Sequence, residues 1–205
     1  FCHNQQMPRA KRLIISGRPH HVTQRGNRRQ QTFFSDADYR AYEDLLIQWT
    51  DKEGVDLTAY VLMPNHVHLI LVPHLDGSLA RVLREVHTRY TRRVNFHKDW
   101  RGHLWQGRFY SVPLNDEHFE NAVRYVELNP VRGALADQPW QYRWSSAHAH
   151  RRGEDFYSQP FDVDVIRKMT RTGKLPSPAQ DEKAIKSDCP LVTNAEDGVV
   201  GRVMI

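Results

Sequence analysis

The chain has 205 residues, with 29 Lys and Arg against 24 Asp and Glu, a net charge of +5 and a pI near 9.3. That length suits one well-buried domain with an appendage, and the basic balance favours a polyanionic partner over a neutral or acidic one. No run approaches the ~18 apolar residues of a membrane span, and two cysteines near opposite ends, Cys2 and Cys189, exclude a disulfide framework or a cysteine-based zinc site. The expectation is a cytosolic protein without membrane contact. The polar start lacks a signal-peptide apolar segment, and residues 1–8 are expected to be an upstream or flexible start.

A first strand is predicted near 20–25, followed by a basic loop through Arg25, Gly26, Asn27, Arg28 and Arg29. Ser35-Asp36-Ala37-Asp38 resembles a capping box, and Tyr39, Tyr42, Leu45, Leu46 and Trp49 recur at helical spacing, which predicts a helix to Glu53 stopped by Gly54. Two strands, 55–63 and 66–72, then flank a tight turn at Pro64-Asn65. Alternate side chains of a strand share a face, so His66 and His68 project together while Val67, Leu69 and Leu71 point the other way. Two imidazoles at a strand start would form a clamp at the sheet rim, although such a pair by itself more often reads as ordinary polar residues.

From Ser78 to about Phe96 the apolar positions Leu79, Val82, Leu83, Val86, Tyr90 and Val94 predict a long helix whose other face carries Arg81, Arg84, Arg89, Arg92 and Arg93. Residues 81–108 hold eight basic and two acidic side chains. The lack of acidic i+4 partners favours phosphate binding over a merely solvated face. A further strand is predicted over 103–113, with Gly107 allowing close approach and Arg108 beside it.

Asn115 as N-cap, Asp116 and Glu117 in the first turn, and Pro130 and Gly133 beyond the end bound a helix over 116–129. Its apolar stripe is Phe119, Ala122, Val123 and Val126. Tyr125 falls roughly 100° from the stripe's centre, and Asn129 lies one turn further along on the same side as Tyr125. Trp140, Tyr142, Trp144, Ser145 and Ser146 form a closing segment that opens a short helix. Residues 151–205 carry nine charges of each sign, one weak helix near 163–170 and a linker-like run from Lys174. There is no internal repeat, Walker A loop or dinucleotide-binding glycine motif.

Three separated motifs, Met63-Pro64-Asn65-His66-Val67-His68, Gly102 to Phe109, and Tyr125 to Val131, together with Val22 to Arg28, resemble the single-tyrosine HUH transposases, in particular the REP-associated tyrosine transposases of bacteria. The resemblance covers about 9–150 and leaves 151–205 as a C-terminal extension. It implies an α+β fold with a ferredoxin-like antiparallel sheet and packed helices, of the HUH endonuclease type. It also implies His66 and His68 as a metal pair, Asn129 as a further ligand, Tyr125 as the nucleophile and Mg2+ or Mn2+ as the ion. The implied enzyme nicks and rejoins single-stranded or REP-hairpin DNA through a 5′-phosphotyrosine, in the bacterial cytoplasm at the nucleoid, as a monomer or a homodimer.

In chemical terms, two imidazoles and an amide oxygen leave positions on a divalent ion that can take a phosphate oxygen. Arg25, Arg28, Arg29, Arg89, Arg92, Arg93, Arg108 and Arg132 are the candidate DNA contacts. Tyr90 and Tyr110 are rival nucleophiles that lack a ligand placed as Asn129 is. A hydrolytic nuclease using water in place of tyrosine, and a non-catalytic nucleic-acid-binding domain, remain open alternatives.

Overall fold

The structure is a computed structural model and describes residues 12–152. Cys2, Cys189, the start over 1–8 and the expected helix and linker beyond 152 lie outside the described residues. Four strands form one antiparallel sheet: β1 (His20–Arg25), β2 (Val55–Met63), β3 (His66–Pro73) and β4 (Tyr110–Pro113), in the spatial order β2-β3-β1-β4. Helix α1 (Asp36–Glu53) connects β1 to β2, α2 (Ser78–Lys98) connects β3 to β4, and α3 (Asp116–Arg132) follows β4. This β-α-β-β-α-β order with β1 and β3 central is the expected ferredoxin-like α+β arrangement.

The two sheet faces follow from the strand period. Val22, Val67, Leu69 and Leu71 join the main core with α1 and α2, whose buried stripes supply Tyr42, Leu46, Val82, Leu83, Val86 and Tyr90. Ala59, Val61, Met63 and Ile70 face the other way and pack under Ala122, Val123 and Val126 of α3. Helices α2 and α3 therefore cover opposite faces, and His68 lies on the α3 face. The outer edge of β2 is covered by the closing segment, where Leu62 N donates to Trp144 O at 2.9 Å and Val61 bridges Ser145. Pairing of that edge removes a site for aggregation. The segment leads into α4 (Ala147–Arg152).

Three local expectations need correction. The Ser35 side chain makes no cap bond; Asp38 Oδ2 instead accepts from Phe34 N at 3.1 Å, so the carboxylate ties down the helix entry by itself. The strand expected over 103–113 is reduced to 110–113, because Gly102 and Gly107 take positive φ values of 93° and 62° and turn the chain twice. Residues 104–106 follow β1 as a loop, with Asn27 N donating to Leu104 O and Gln106 N to Arg25 O. Helix α3 runs past Pro130 to Arg132. Proline cannot donate to the carbonyl four residues back, and Asn129 Nδ2 reaches that carbonyl, Val126 O, at 3.3 Å as well as Tyr125 O at 2.8 Å.

Helix α3 also carries a buried carboxylate that the apolar stripe did not predict. Glu127 is 2% exposed, and its Oε1 accepts from Ser146 Oγ at 2.7 Å and meets His150 Nδ1 at 2.5 Å. Ser146 Oγ in turn accepts from Tyr60 N. The network joins α3, β2 and α4, and loss of its centre leaves buried polar partners unsatisfied. Glu127→Ala is expected to lower unfolding stability by about 3 kcal/mol, read from urea denaturation. A change below about 0.5 kcal/mol would remove the network as a tie between α3 and the sheet.

Candidate active site

The strand register assembles the site. Thr23 and Arg25 of β1 lie opposite His68 and His66 of β3, while Val61 and Met63 of β2 lie opposite the same two residues on the other side. His21 is diagonal to His68, within reach for a cross-strand ring contact. The His21 and His68 rings stack at 5.2 Å, and His21 Nε2 and His68 Nδ1 are 3.0 Å apart, one donating and the other accepting. His66 lies 5.1 Å from His68, centroid to centroid, with the rings inclined by 78°.

Helix α3 brings Tyr125 over this group. Its ring sits edge-on to His68 at 5.7 Å and to His21 at 5.8 Å. Tyr125 is half-buried, as its helix-edge position predicts. The Arg132 guanidinium lies 4.7 Å from the Tyr125 ring centroid, against the aromatic system that would share any negative charge on the phenol oxygen. Tyr90 is wholly buried and donates its hydroxyl to Thr32 O, which assigns it to the core, whereas Tyr110 is exposed on edge strand β4 opposite Thr23.

Burial and neighbouring charges hold the imidazoles neutral. Burial lowers His21 and His66 to about 4, and Arg25 adds to the effect on His66. His68 is held well below the ordinary histidine range by burial, then by His21, His66, Arg25 and Arg132. A neutral ring keeps a lone pair for a metal, which a protonated one lacks.

The donor set fits a divalent ion. His66 Nδ1 is engaged by Asn65 Oδ1 at 2.6 Å, which leaves the His66 Nε2 lone pair for a ligand, and His68 Nδ1 shares its hydrogen bond with His21 Nε2. Two imidazoles each ~2.1 Å from one ion place their centroids roughly 5 Å apart, as observed here. Among the described residues no group of three or more His, Cys, Asp or Glu side chains is placed to hold a metal, so further donors must be of another kind. Asn129 bonds back to its own helix through Nδ2, and its Oδ1 takes no part in those bonds.

The candidate arginines divide into two groups. Arg25 and Arg132 flank the histidine pair, and Arg28 and Arg29 stand exposed on the loop after β1. Arg12, which stacks on Phe109, has its pKa lowered by burial and further by the nearby Arg108. Arg89, Arg92 and Arg93 belong to α2, on the opposite face of the sheet. The expected lack of acidic partners on that helix is corrected: Glu85 pairs with Arg84 and Arg89, Glu53 with Arg81, and Asp38 with Arg93. Glu85–Arg89 is itself an i,i+4 pair within α2, whereas Glu53 and Asp38 on α1 are invisible to an i+4 rule.

Sequence reasoning missed His21 and Asn65 as parts of the site. His21 shares odd-numbered parity with Thr23 and Arg25, but its approach to His68 depends on the β1–β3 register. Asn65 was read only as a turn former.

The family model described as IS200-like transposase matches residues 16–129. Among solved structures, a REP-associated tyrosine transposase bound to a REP hairpin matches with TM-score 0.61 and 24% identity, over 77% of this chain and 93% of that one. A candidate transposase from Deinococcus radiodurans R1 matches at TM-score 0.41 and 18% identity, over 58% of this chain and 96% of that one, too distant to bear on the fold. No curated protein matches the sequence.

Folded His21, His66 and His87 do not protonate until about pH 4, 4 and 3 respectively, whereas the unfolded chain charges its histidines near 6.5. Between those values the unfolded state binds more protons, so stability must fall as pH drops from about 6.5 towards 4. Urea midpoints at pH 7, 6 and 5 are expected to decrease steadily. A flat or rising series would contradict the buried neutral imidazoles.

Proposed function

The chain belongs to the IS200-like transposase family, and from that premise we propose that it is a metal-dependent tyrosine transposase that nicks and rejoins single-stranded, hairpin-forming DNA. The observation that carries the reading is the convergence of Tyr125 on α3 with His66 and His68 on β3 across one sheet face. REP-like hairpins are the proposed substrate, supported by the solved relative's hairpin complex and by the arginines around the site. The catalytic domain is assigned to 9–150, with 151–205 as a C-terminal extension.

In the proposed reaction the Tyr125 phenol oxygen attacks the phosphorus of a DNA phosphodiester. A P–O bond to the tyrosine forms, the P–O3′ bond breaks, and the phenol proton passes by way of solvent to the departing 3′ oxygen. The products are a 5′-phosphotyrosine and a free 3′-OH, so the phosphodiester's energy is retained and no nucleotide cofactor is required. Attack by a 3′-OH on the phosphotyrosine reverses the sequence and rejoins DNA. His66 and His68, with Asn129 Oδ1 as the proposed third donor, would hold Mg2+ or Mn2+, which supplies Lewis-acid stabilisation of phosphate charge when bound. Arg132 holds positive charge at the phenol ring, and Arg25 holds it beside His66.

Phosphate contacts are assigned first to the exposed Arg28, Arg29 and Arg108 and to the half-buried Arg25 and Arg132 beside the histidine pair. Arg89, Arg92 and Arg93 contribute less, since Arg89 and Arg93 already have carboxylate partners and all three belong to the opposite face.

Tyr125→Phe keeps the ring and is expected to change stability by no more than about 1 kcal/mol. The variant should bind hairpin DNA yet form no denaturation-resistant adduct and no free 3′-OH product with Mn2+, whereas peptide mapping of the wild-type adduct places the DNA on α3. Cutting by the phenylalanine variant at a comparable rate would make water the nucleophile. His66→Ala and His68→Ala should abolish cleavage and spare hairpin binding.

A second measurement concerns the arginines. Replacing Arg28 and Arg29 together by Ala should reduce the slope of log affinity against log salt by about 2. The Arg89 and Arg93 double variant should lower it by less than half of that. The reverse ranking would place the DNA track on α2.

A further inference from the structure

Asn65 links the exposed arginine loop to the first histidine of the pair. It forms the β2–β3 turn with Pro64, and its side chain makes two bonds of opposite sense. Nδ2 donates to Arg29 O at 3.1 Å, and Oδ1 lies 2.6 Å from His66 Nδ1. A backbone carbonyl can only accept, so the amide nitrogen must face Arg29 and the amide oxygen must face His66. That oxygen also only accepts, so His66 must carry its proton on Nδ1. Nε2 is left with the lone pair.

The other end of the link is a constrained loop. Arg28 and Arg29 have φ values of 53° and 61°, a left-handed conformation that residues with a Cβ rarely adopt. Surrounding bonds impose it: Gly26 N donates to Asn65 O, Asn27 N to Leu104 O, and both Thr32 N and Phe33 N to Pro64 O. A Cβ on Gly26 would meet Gln30 O at 2.2 Å, so the loop has no room to slide at its root. The only side-chain amide spanning from this loop's backbone to the histidine pair among the described bonds is that of Asn65.

We infer that Asn65 is a positioning residue that sets the His66 tautomer and couples it to the Arg28–Arg29 loop, so that seating phosphates on the loop and presenting Nε2 at the site depend on one amide. The metal half of this inference rests on the reading of His66 as a ligand. Outer-shell partners of ligating histidines commonly change metal affinity by about 10- to 100-fold.

The test uses the full chain, uniformly 15N-labelled, without metal at neutral pH. Long-range 1H–15N spectra should find His66 protonated on Nδ1 in the wild type, with the proton shifting towards Nε2 in Asn65→Ala. Asn65→Asp retains the acceptor and should keep the Nδ1–H form, while losing the donor to Arg29 O. Amide exchange at Arg29 and Gln30 should then speed up about tenfold in both variants. In calorimetric titration Mn2+ affinity should fall about tenfold or more in Asn65→Ala and stay within about threefold of wild type in Asn65→Asp. An Nε2–H His66 in the wild type, or a tautomer unchanged in Asn65→Ala, overturns the positioning role, and unchanged exchange overturns the coupling to the loop. A tautomer change in a chain that binds no Mn2+ would overturn the ligand reading and uphold the positioning of His66.

Discussion

The antiparallel register of β1 against β3 is the constraint on which the remainder of the site depends. It sets Arg25 opposite His66 and Thr23 opposite His68, and it brings His21 within a ring's width of His68. Side chains alternate between faces, so a slip of one residue in β3 would send both histidines into the core beneath α1 and α2 and turn Val67 and Leu69 towards α3. Burial on both faces opposes such a slip. Val67, Leu69, Ile70 and Leu71 are completely buried, so any exchange of faces would cost apolar burial on both sides at once.

A polar group within this packing must be satisfied, and the ways in which it is satisfied define the local chemistry. His21 and His68 share a hydrogen bond beneath Tyr125, and burial keeps both neutral. Glu127, two residues beyond Tyr125 and facing inward, is anchored by Ser146 and His150. Asn129 serves the carbonyl that Pro130 leaves unpaired. Helix α3 is thus tied to the sheet and the closing segment on one side while presenting Tyr125 and Arg132 on another. For the proposed strand transfer, a rigid helix bearing a half-exposed phenol supplies orientation, and orientation can account for much of a rate enhancement.

The charge distribution fits a reaction at phosphate. The net charge of +5 is modest, but Arg25 and Arg132 lie at the histidine pair, where they add to the lowering of the His68 pKa by burial, His21 and His66. Arginines across the sheet on α2 are mostly engaged with Glu53, Glu85 and Asp38. These pairs, whose carboxylates are mostly shielded, lower the positive potential of that face relative to the histidine face.

Much of the architecture was legible in the chain. Period-2 runs around Pro64-Asn65 and helical apolar stripes located the hairpin and all three long helices to within a few residues, because those signals are local and the burial they report is dictated by geometry. Tyr125's place at a helix edge was likewise a matter of angle alone. The ends of elements were less legible: Gly102 and Gly107 shortened β4, and Asn129 carried α3 past Pro130, through backbone angles and a side-chain bond that periodicity does not encode. What only the tertiary structure decided is which groups meet. His21 reaches His68, Asn65 joins Arg29 to His66, Glu127 finds Ser146 and His150, and Arg81 and Arg93 of α2 find carboxylates on α1. Each of these contacts spans separate elements, except the turn contact of Asn65 with its neighbour. The sequence by itself determined the faces and the kinds of chemistry each could offer; strand register and helix docking, set by burial summed over the whole core, determined the partners.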